Sequence, residues 1–535
     1  MLELFKKSCE RKDSSDDSTR EYAHTLTLLH GDETSSPAFQ HFLDFRMERY
    51  AALLEEGRSI WEDSPADIEG GINFTDVYVT NILNSYLRKF LKLVQEDRVK
   101  VEAVFPKSTS VWHVMLKVLF EDYIKPYVEC MLENSQQELR TFLRSLVSAF
   151  TFVSNILKDV ESLDTPEAIK TLSGSVLSQQ RSKYLDSEVT CLDDLCNSEL
   201  ASSRSSIDTT PLAEGLGNPE DWSLLSFATM DRLISYSKES LLRCLKISEP
   251  GALAFNVQRL YMRFLQHTGR EYIHSAVMEA LEELKSSGDE ESPCIHFYAE
   301  VFMSNTLVQL LQEHYDEDVL PHLQLSVTVK NEVEYARTKV WKELESKVQE
   351  GLECLLRCCV HRLDSLLEHY QSKTDFKLTE KMGQNLKEEP TLACRTACNY
   401  MNSQLDYIST ALDGNNLISF RSEMGILFSS VLHHHLRRNP VTRIGSRQIR
   451  FDIQTYLKVL HSFEIPSFSR IEETLQFTGE IYRVPLENLR MFIHEYPMQT
   501  ISQTDILMLV RARSDIKEPE GQRLEKMLTV GTKSS

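Results

Sequence analysis

Glycine and proline are scarce: 18 and 16 residues in a chain of 535, about half the usual combined share of roughly 12 %. So few breakers exclude collagen-like and low-complexity chains, disfavour sandwiches and leave room for long helices. No run approaches the roughly 18 apolar residues that a spanning helix needs. The first residues, MLELFKKSCERKDSSDD, reach charge and serine before any apolar stretch of secretory length, and RLEKMLTVGTKSS at the other end holds no prenylatable cysteine. The expectation is a soluble, cytoplasmic chain. Positive balance is missing too: 59 Lys and Arg against 80 Asp and Glu leave a net charge of −21. That argues against nucleic acid or an anionic bilayer as the main partner, since each recruits a net basic face. The 11 cysteines are odd in number and scattered, the pattern of buried free thiols in a reducing compartment rather than of a disulfide framework.

What the sequence does contain is helical periodicity. Leu139, Phe142, Leu146, Phe150 or Val153, Leu157 and Val160 recur at steps of three and four, a stripe that must be buried. Trp341, Leu344, Val348, Leu352, Leu355, Cys359, Leu363, Leu366 and Tyr370 keep the same rhythm from a start near Asn331. About 40 residues on that pattern predict about 60 Å of helix. Period-two runs are nearly absent, and LQLSVTV (Leu323 to Val329) stands alone.

Stops fall at Phe105-Pro106, Asp164-Thr165-Pro166, Glu249-Pro250-Gly251, the SSGDEESP stretch from Ser286, and Asn439-Pro440. The GDEES part of that stretch reads as a solvated connector rather than a phosphorylated switch. The expected fold is all-α, an elongated rod of consecutive antiparallel helical bundles. Its expected parts are a tail and partial helix at 1–36, a first bundle at 37–197, a mobile Ser/Pro/Gly-rich connector at 198–221, a middle bundle with the long helix at 222–374, a linker at 375–390 and a C-terminal bundle at 391–535.

The spacings that cradle phosphate, expose a nucleophile or bind zinc are missing: no GxxxxGK followed by Ser or Thr, no GxGxxG, no GxSxG, no HExxH. Cys354 with Cys358 and Cys394 with Cys398 are helically spaced pairs, but they sit inside apolar patterns where small buried thiols are common. His433, His434 and His435 diverge by about 100° each on a helix and cannot converge on one ion. With Arg437, Arg438 and Pro440 behind them they read as cations at a helix C-terminus. Asp193-Asp194 lacks a third carboxylate, position 197 being Asn, so no DDxxD signature forms. The expectation is therefore no catalytic, cofactor or metal site. The densest basic group is Arg437, Arg438, Arg447 and Arg450, with Arg443 nearby, and it is the candidate partner-binding face on an acidic chain.

SKTDFKLTE followed by PTLACRTACNYMNSQLDYISTALDGNN (Ser372 to Asn416) resembles the exocyst Sec-ten family and its fungal relatives, the recyclins, where an acidic-aromatic linker precedes a helix ending in a Leu-Asp-Gly turn. FRSEMGILFSSVLHHHLRR and VTRIGSRQIRFDIQTYLKVLHSF follow in the family's order, with its Gly-containing turn at Gly445 and its Asp-x-x-x-Tyr helix at Asp452 and Tyr456. LISYSKESLLRCLKIS and VEAVFPKSTSVWHVMLKVLFEDYIKPYVECML extend the likeness upstream. The chain departs from the family in showing neither a long N-terminal heptad array nor an F-box-like helix start before residue 40. The resemblance implies a non-catalytic vesicle-tethering subunit, peripheral at docking or secretion sites. It would be bound to other tethering subunits, with small GTPases as further candidates, and would meet membrane through those partners. A recyclin-like adaptor for endosomal recycling or ubiquitin-ligase recruitment is the alternative.

Overall fold

The computed structural model describes residues 2–10, 16–30, 34–62, 74–105, 108–134, 138–161, 166–205, 219–286, 292–383, 388–465, 468–495 and 501–516. They are helical almost throughout. Among them no strand forms, and the backbone pairing of Val441 with Arg513 is an isolated parallel bridge. The all-α expectation holds. Two compact units form: Met1–Glu199 with Arg232–His267 and His314–Glu334, and Leu200–Asp231 with Thr268–Glu313 and Tyr335–Ser535.

In the first unit, helices α1 (Pro37–Glu62), α2 (Phe74–Val104), α3 (Leu139–Glu161) and α4 (Pro166–Ser205) bury aromatic side chains such as Phe39, Tyr50, Phe90 and Phe105. The stripe on α3 is turned by about one position from the expected one. Leu143, Leu146, Phe150, Val153 and Ile156 are buried, whereas Leu139 and Phe142 are half-buried. Ala149 is buried in the same row. Leu157 and Val160 lie outside the described side chains.

Two buried ionic contacts tie this unit together. Arg46 meets Asp97 at 3.1 Å, both nearly free of solvent. Glu188, fully buried, accepts hydrogen bonds from Arg243 and from the Ser240 hydroxyl at 2.6 Å each. Glu239 beside it takes Arg140 at 2.6 Å and Arg144 at 2.9 Å. Burial opposes its charge, yet these guanidinium partners hold its carboxyl down to about 2.

The second unit is built on α7 (Ser292–His314), α8 (Val327–Tyr370), α9 (Leu392–Ala411), α10 (Gly414–Arg438), α11 (Ser446–Ser462), α12 (Ser469–Arg483) and α13 (Gln503–Ala512); α5 (Phe227–Ile247) and α6 (Leu253–Leu265) precede them in the chain. The long helix is α8, 44 residues and so about 66 Å. It begins four residues before the expected Asn331, because nothing from Val327 to Lys330 breaks a helix. Leu344, Leu355, Cys359, Leu363 and Leu366 are buried as expected, but Trp341, Val348 and Leu352 are only half-buried and Tyr370 is exposed.

Two expected irregular segments are partly ordered. Ser198–Ser205, assigned to the mobile connector, continues α4: Leu200 is buried, so the apolar register outweighs the local serines. The rest of that connector up to residue 218, like most of the acidic GDEES stretch, lies outside the described residues. Within 375–390, Phe376 is buried at 3 % exposure. Its carbonyl accepts from the Thr442 N–H at 2.9 Å, so this end of the linker is fastened to the turn before α11. Gly445 lies in that turn, where a Cβ would fall 1.9 Å from the Phe376 carbonyl oxygen.

Leu344→Ala removes a side chain that is 6 % exposed and should lower stability by about 2–5 kcal/mol in denaturant unfolding, towards the lower end because the site is open on one side. Gly445→Ala forces the Phe376 backbone away and should cost about 1–3 kcal/mol. Gly251→Ala, with nothing within 4 Å of the new methyl, should leave the unfolding midpoint nearly unmoved.

Candidate functional site

α9 starts where Thr391 caps it: the hydroxyl accepts from the Cys394 N–H at 3.1 Å. The Asp452 carboxylate on α11 in turn accepts from the Thr391 N–H at 2.7 Å and the Thr391 hydroxyl at 2.8 Å. Burial pushes Asp452 up to about 7 while these donors pull the other way. Tyr456, one turn later, is buried beside it. At the far end of α9, Gly414 adopts a φ of 50°, a left-handed geometry that glycine meets without strain, and α10 begins.

α10 ends in the basic cluster. Arg437 donates from Nε to the His433 carbonyl at 3.0 Å and pairs with Asp505 on α13. Arg438 reaches Asp364 at 3.1 Å and Glu368 at 3.4 Å, both on α8. Asn439 donates to the His435 carbonyl at 2.9 Å. The arginines thus serve the helix end as expected, but they are also committed to acidic partners within the unit. Arg447 and Arg450 stand one turn apart on α11, exposed, with Arg443 exposed in the turn before.

The histidines differ from the expected helix-end cations. Burial, helped by Arg437 beside His433 and Arg438 beside His435, holds both imidazoles down to about 4. They are neutral at physiological pH, and His435 Nε2 lies 2.9 Å from the Gln371 side-chain oxygen. The cysteine pairs are apart in environment. Cys394 Sγ meets the Asp452 carbonyl at 3.6 Å and burial drives its thiol pKa upward, whereas a hydrogen bond with Cys294 draws Cys358 downward. Among the described residues no group of three or more His, Cys, Asp or Glu side chains is placed to hold a metal. Asp193 is taken up by Arg263 at 2.6 Å and His267 at 2.8 Å.

Periodicity did not disclose a groove of about 1520 Å³. α8 forms one wall from Trp341 to Asp364 and α10 the other from Asn416 to Arg437. α7 adds Val301, Ser304, Asn305 and Val308, and the turn after α9 adds Leu412 and Asp413. α8 and α10 run in the same direction: Leu427 shares a small void with Leu356 and Val360, and Arg438 meets Asp364 and Glu368 farther along both. The lining is apolar in its floor, with Trp341, Val348, Leu352, Phe420 and Val431, and charged along its edges. The available signal was the second apolar row of α8, which the periodicity had merged with the core row.

Small-molecule clefts run to roughly 300–1,000 Å³ and converge a few polar groups on one point. This groove is larger, and its polar groups are strung along its length, an arrangement suited to holding an extended macromolecular element. A pH response belongs to the histidines near the end of α10. A histidine depressed on folding adds stability that is complete above its unfolded value, near 6.5, and is lost as pH falls towards 4. Asp452, raised on folding, acts in the opposite sense below pH 7. Replacing His433 and His435 together with Gln should therefore flatten the acid side of the stability curve between pH 7 and 5, measured as the denaturant midpoint against the parent chain.

The sequence pattern of the family described as "Exocyst complex component Sec10-like, alpha-helical bundle" matches residues 1–214 and 203–523. Exocyst complex component 5 of Mus musculus is 21 % identical over 474 residues, covering 83 % of this chain and 66 % of that protein. The Dictyostelium discoideum protein of the same name is 22 % identical over 547 residues, covering 97 % of this chain and 52 % of its own length. The chain thus spans about two thirds of the mouse relative and about half of the amoebal one. The crystal structure of the C-terminal domain of the exocyst subunit Sec6p aligns over 66 % of this chain and 91 % of its own at 9 % identity and a TM-score of 0.38, too slight a likeness to argue from. On the family match, which takes in nearly every described element, the chain belongs to the Sec10-like exocyst components.

Proposed function

We propose that this chain is a non-catalytic vesicle-tethering subunit, acting in exocytosis or transport to the plasma membrane, and that it works by binding other exocyst subunits. The observation that carries the reading is the family match across residues 1–214 and 203–523. The groove is consistent with it, being an apolar-floored trough without a convergent reacting centre. Among the described residues no helix is long and apolar enough to cross a membrane, and the net charge is −21. Both fit a chain that works in the cytoplasm and reaches anionic lipid through its partners. Of the four arginines expected at a partner face, Arg447 and Arg450 are the ones turned outward without an acidic partner among the described residues, so they are the proposed contact. Small GTPases are the further partner class proposed.

Affinity purification of the tagged endogenous chain should recover the remaining exocyst subunits. Recovery of ubiquitin-ligase adaptors or endosomal GTPases without any exocyst subunit would refute the tethering reading. Arg447→Glu with Arg450→Glu should reduce subunit recovery at least severalfold with the helical circular dichroism unchanged. Undiminished recovery would remove these two residues from the interface.

A further inference from the structure

Four carboxylates stand at one half of the groove. Glu345 and Glu353 lie on α8, Asp413 immediately precedes α10 and Glu423 lies about two and a half turns along it. All four are exposed, and none has a cationic partner among the described residues. The other half carries Arg357 and His361. Between these edges run Trp341, Val348 and Leu352, half-buried apolar side chains facing the trough. From Trp341 to Asp364 the α8 wall extends about 35 Å, the length of an α-helix of about 23 residues. A cylinder with one apolar stripe fits such a trough, as amphipathic helices fit apolar grooves generally.

We propose that this groove docks one amphipathic α-helix of a partner chain, its apolar stripe against Trp341, Val348 and Leu352 and its lysine- or arginine-rich end over Glu345, Glu353, Asp413 and Glu423. Charge decides the class of occupant. An anionic lipid surface is repelled by the acidic half, and an acidic peptide would add like charges to four unneutralised carboxylates. A helix that is cationic at that end gains ion pairs there without surrendering apolar contact. The proposal rests on the reading of the chain as a binding scaffold and names the chemistry of one partner.

The test uses the full chain and two fluorescent peptides of about 23 residues that share a Leu/Ile stripe at helical spacing. One carries lysines over half its polar face, the other glutamates. By anisotropy the lysine peptide should bind at least tenfold more tightly, and raising salt should erode the difference. Glu345→Lys with Glu423→Lys should weaken the lysine peptide at least tenfold and favour the glutamate one. A benzophenone amino acid in place of Val348 should capture the lysine peptide. Equal binding of both peptides, a preference that survives the reversal, or capture by the benzophenone of a second copy or of the chain's own C-terminal residues would overturn the proposal. Should the reversed variant unfold, the parent chain's peptide preference and its salt dependence decide alone. A chain that binds the lysine peptide yet recovers no exocyst subunit refutes the tethering reading and leaves the groove standing. One that recovers the subunits and ignores both peptides refutes the groove alone.

Discussion

One carboxylate sets the arrangement of the C-terminal helices. Asp452 is fully buried and faces Thr391, whose N–H and hydroxyl both donate to it. A buried carboxylate without a cation is expensive unless donors replace its water, so the start of α9 cannot slide against α11 without exposing that cost. The Thr391 hydroxyl accepts from Cys394 N–H as well, so the same contact starts the helix that it positions. Immediately before α11, Gly445 allows the Phe376 carbonyl to come where any side chain would exclude it. Farther along, the Tyr482 hydroxyl donates to the Leu436 carbonyl at 2.9 Å. Asp452, Tyr456 and Gly445, which carried the family likeness, are thus residues of architecture.

Fixing α9 and α11 leaves α8 and α10 with more apolar surface than the core can cover. α8 turns Leu344, Leu355, Cys359 and Leu363 inward, while its neighbouring row, Trp341, Val348 and Leu352, meets only a trough. A half-buried apolar row that lines a trough is surface that a partner can cover. Arg437, at one end of the trough, is held by Asp505, and Arg438 beside it by Asp364 and Glu368, so the end of α10 is braced from two helices.

Periodicity disclosed the fold class, the long helix and most of its buried row, because each depends on residues a few positions apart. The remainder depends on partners far apart in the chain. Arg437 meets Asp505 across 68 residues, and Arg438 meets Asp364 across 74; no local pattern marks either pair. The dense arginine cluster therefore looked like one free basic face, whereas the fold divides it into two internal braces and two outward cations. The histidine run failed for a related reason: sequence supplies its helical phase, but only the packing of α10 shows that His433 is half-buried and His435 buried. In the first unit the buried row of α3 includes Leu143, Ala149 and Ile156, which the periodicity did not single out.

On α10 the charge gradient of the groove follows the helix dipole, whereas on α8, whose groove-lining charges lie mid-helix, it is set by the sequence alone. α10 has Asp413 at its beginning and Arg437 and Arg438 in its last turn, the order that the macrodipole favours. α8, running the same way beside it, repeats that order with Glu345 and Glu353 before Arg357 and His361. Antiparallel neighbours would cancel such gradients; these two add. At the far end Arg438 is neutralised by Asp364 and Glu368, so the cationic half is weakened while the acidic half keeps its four unpaired carboxylates. The trough is consequently more selective at its acidic end, and a bound helix is oriented chiefly by where its own cations lie.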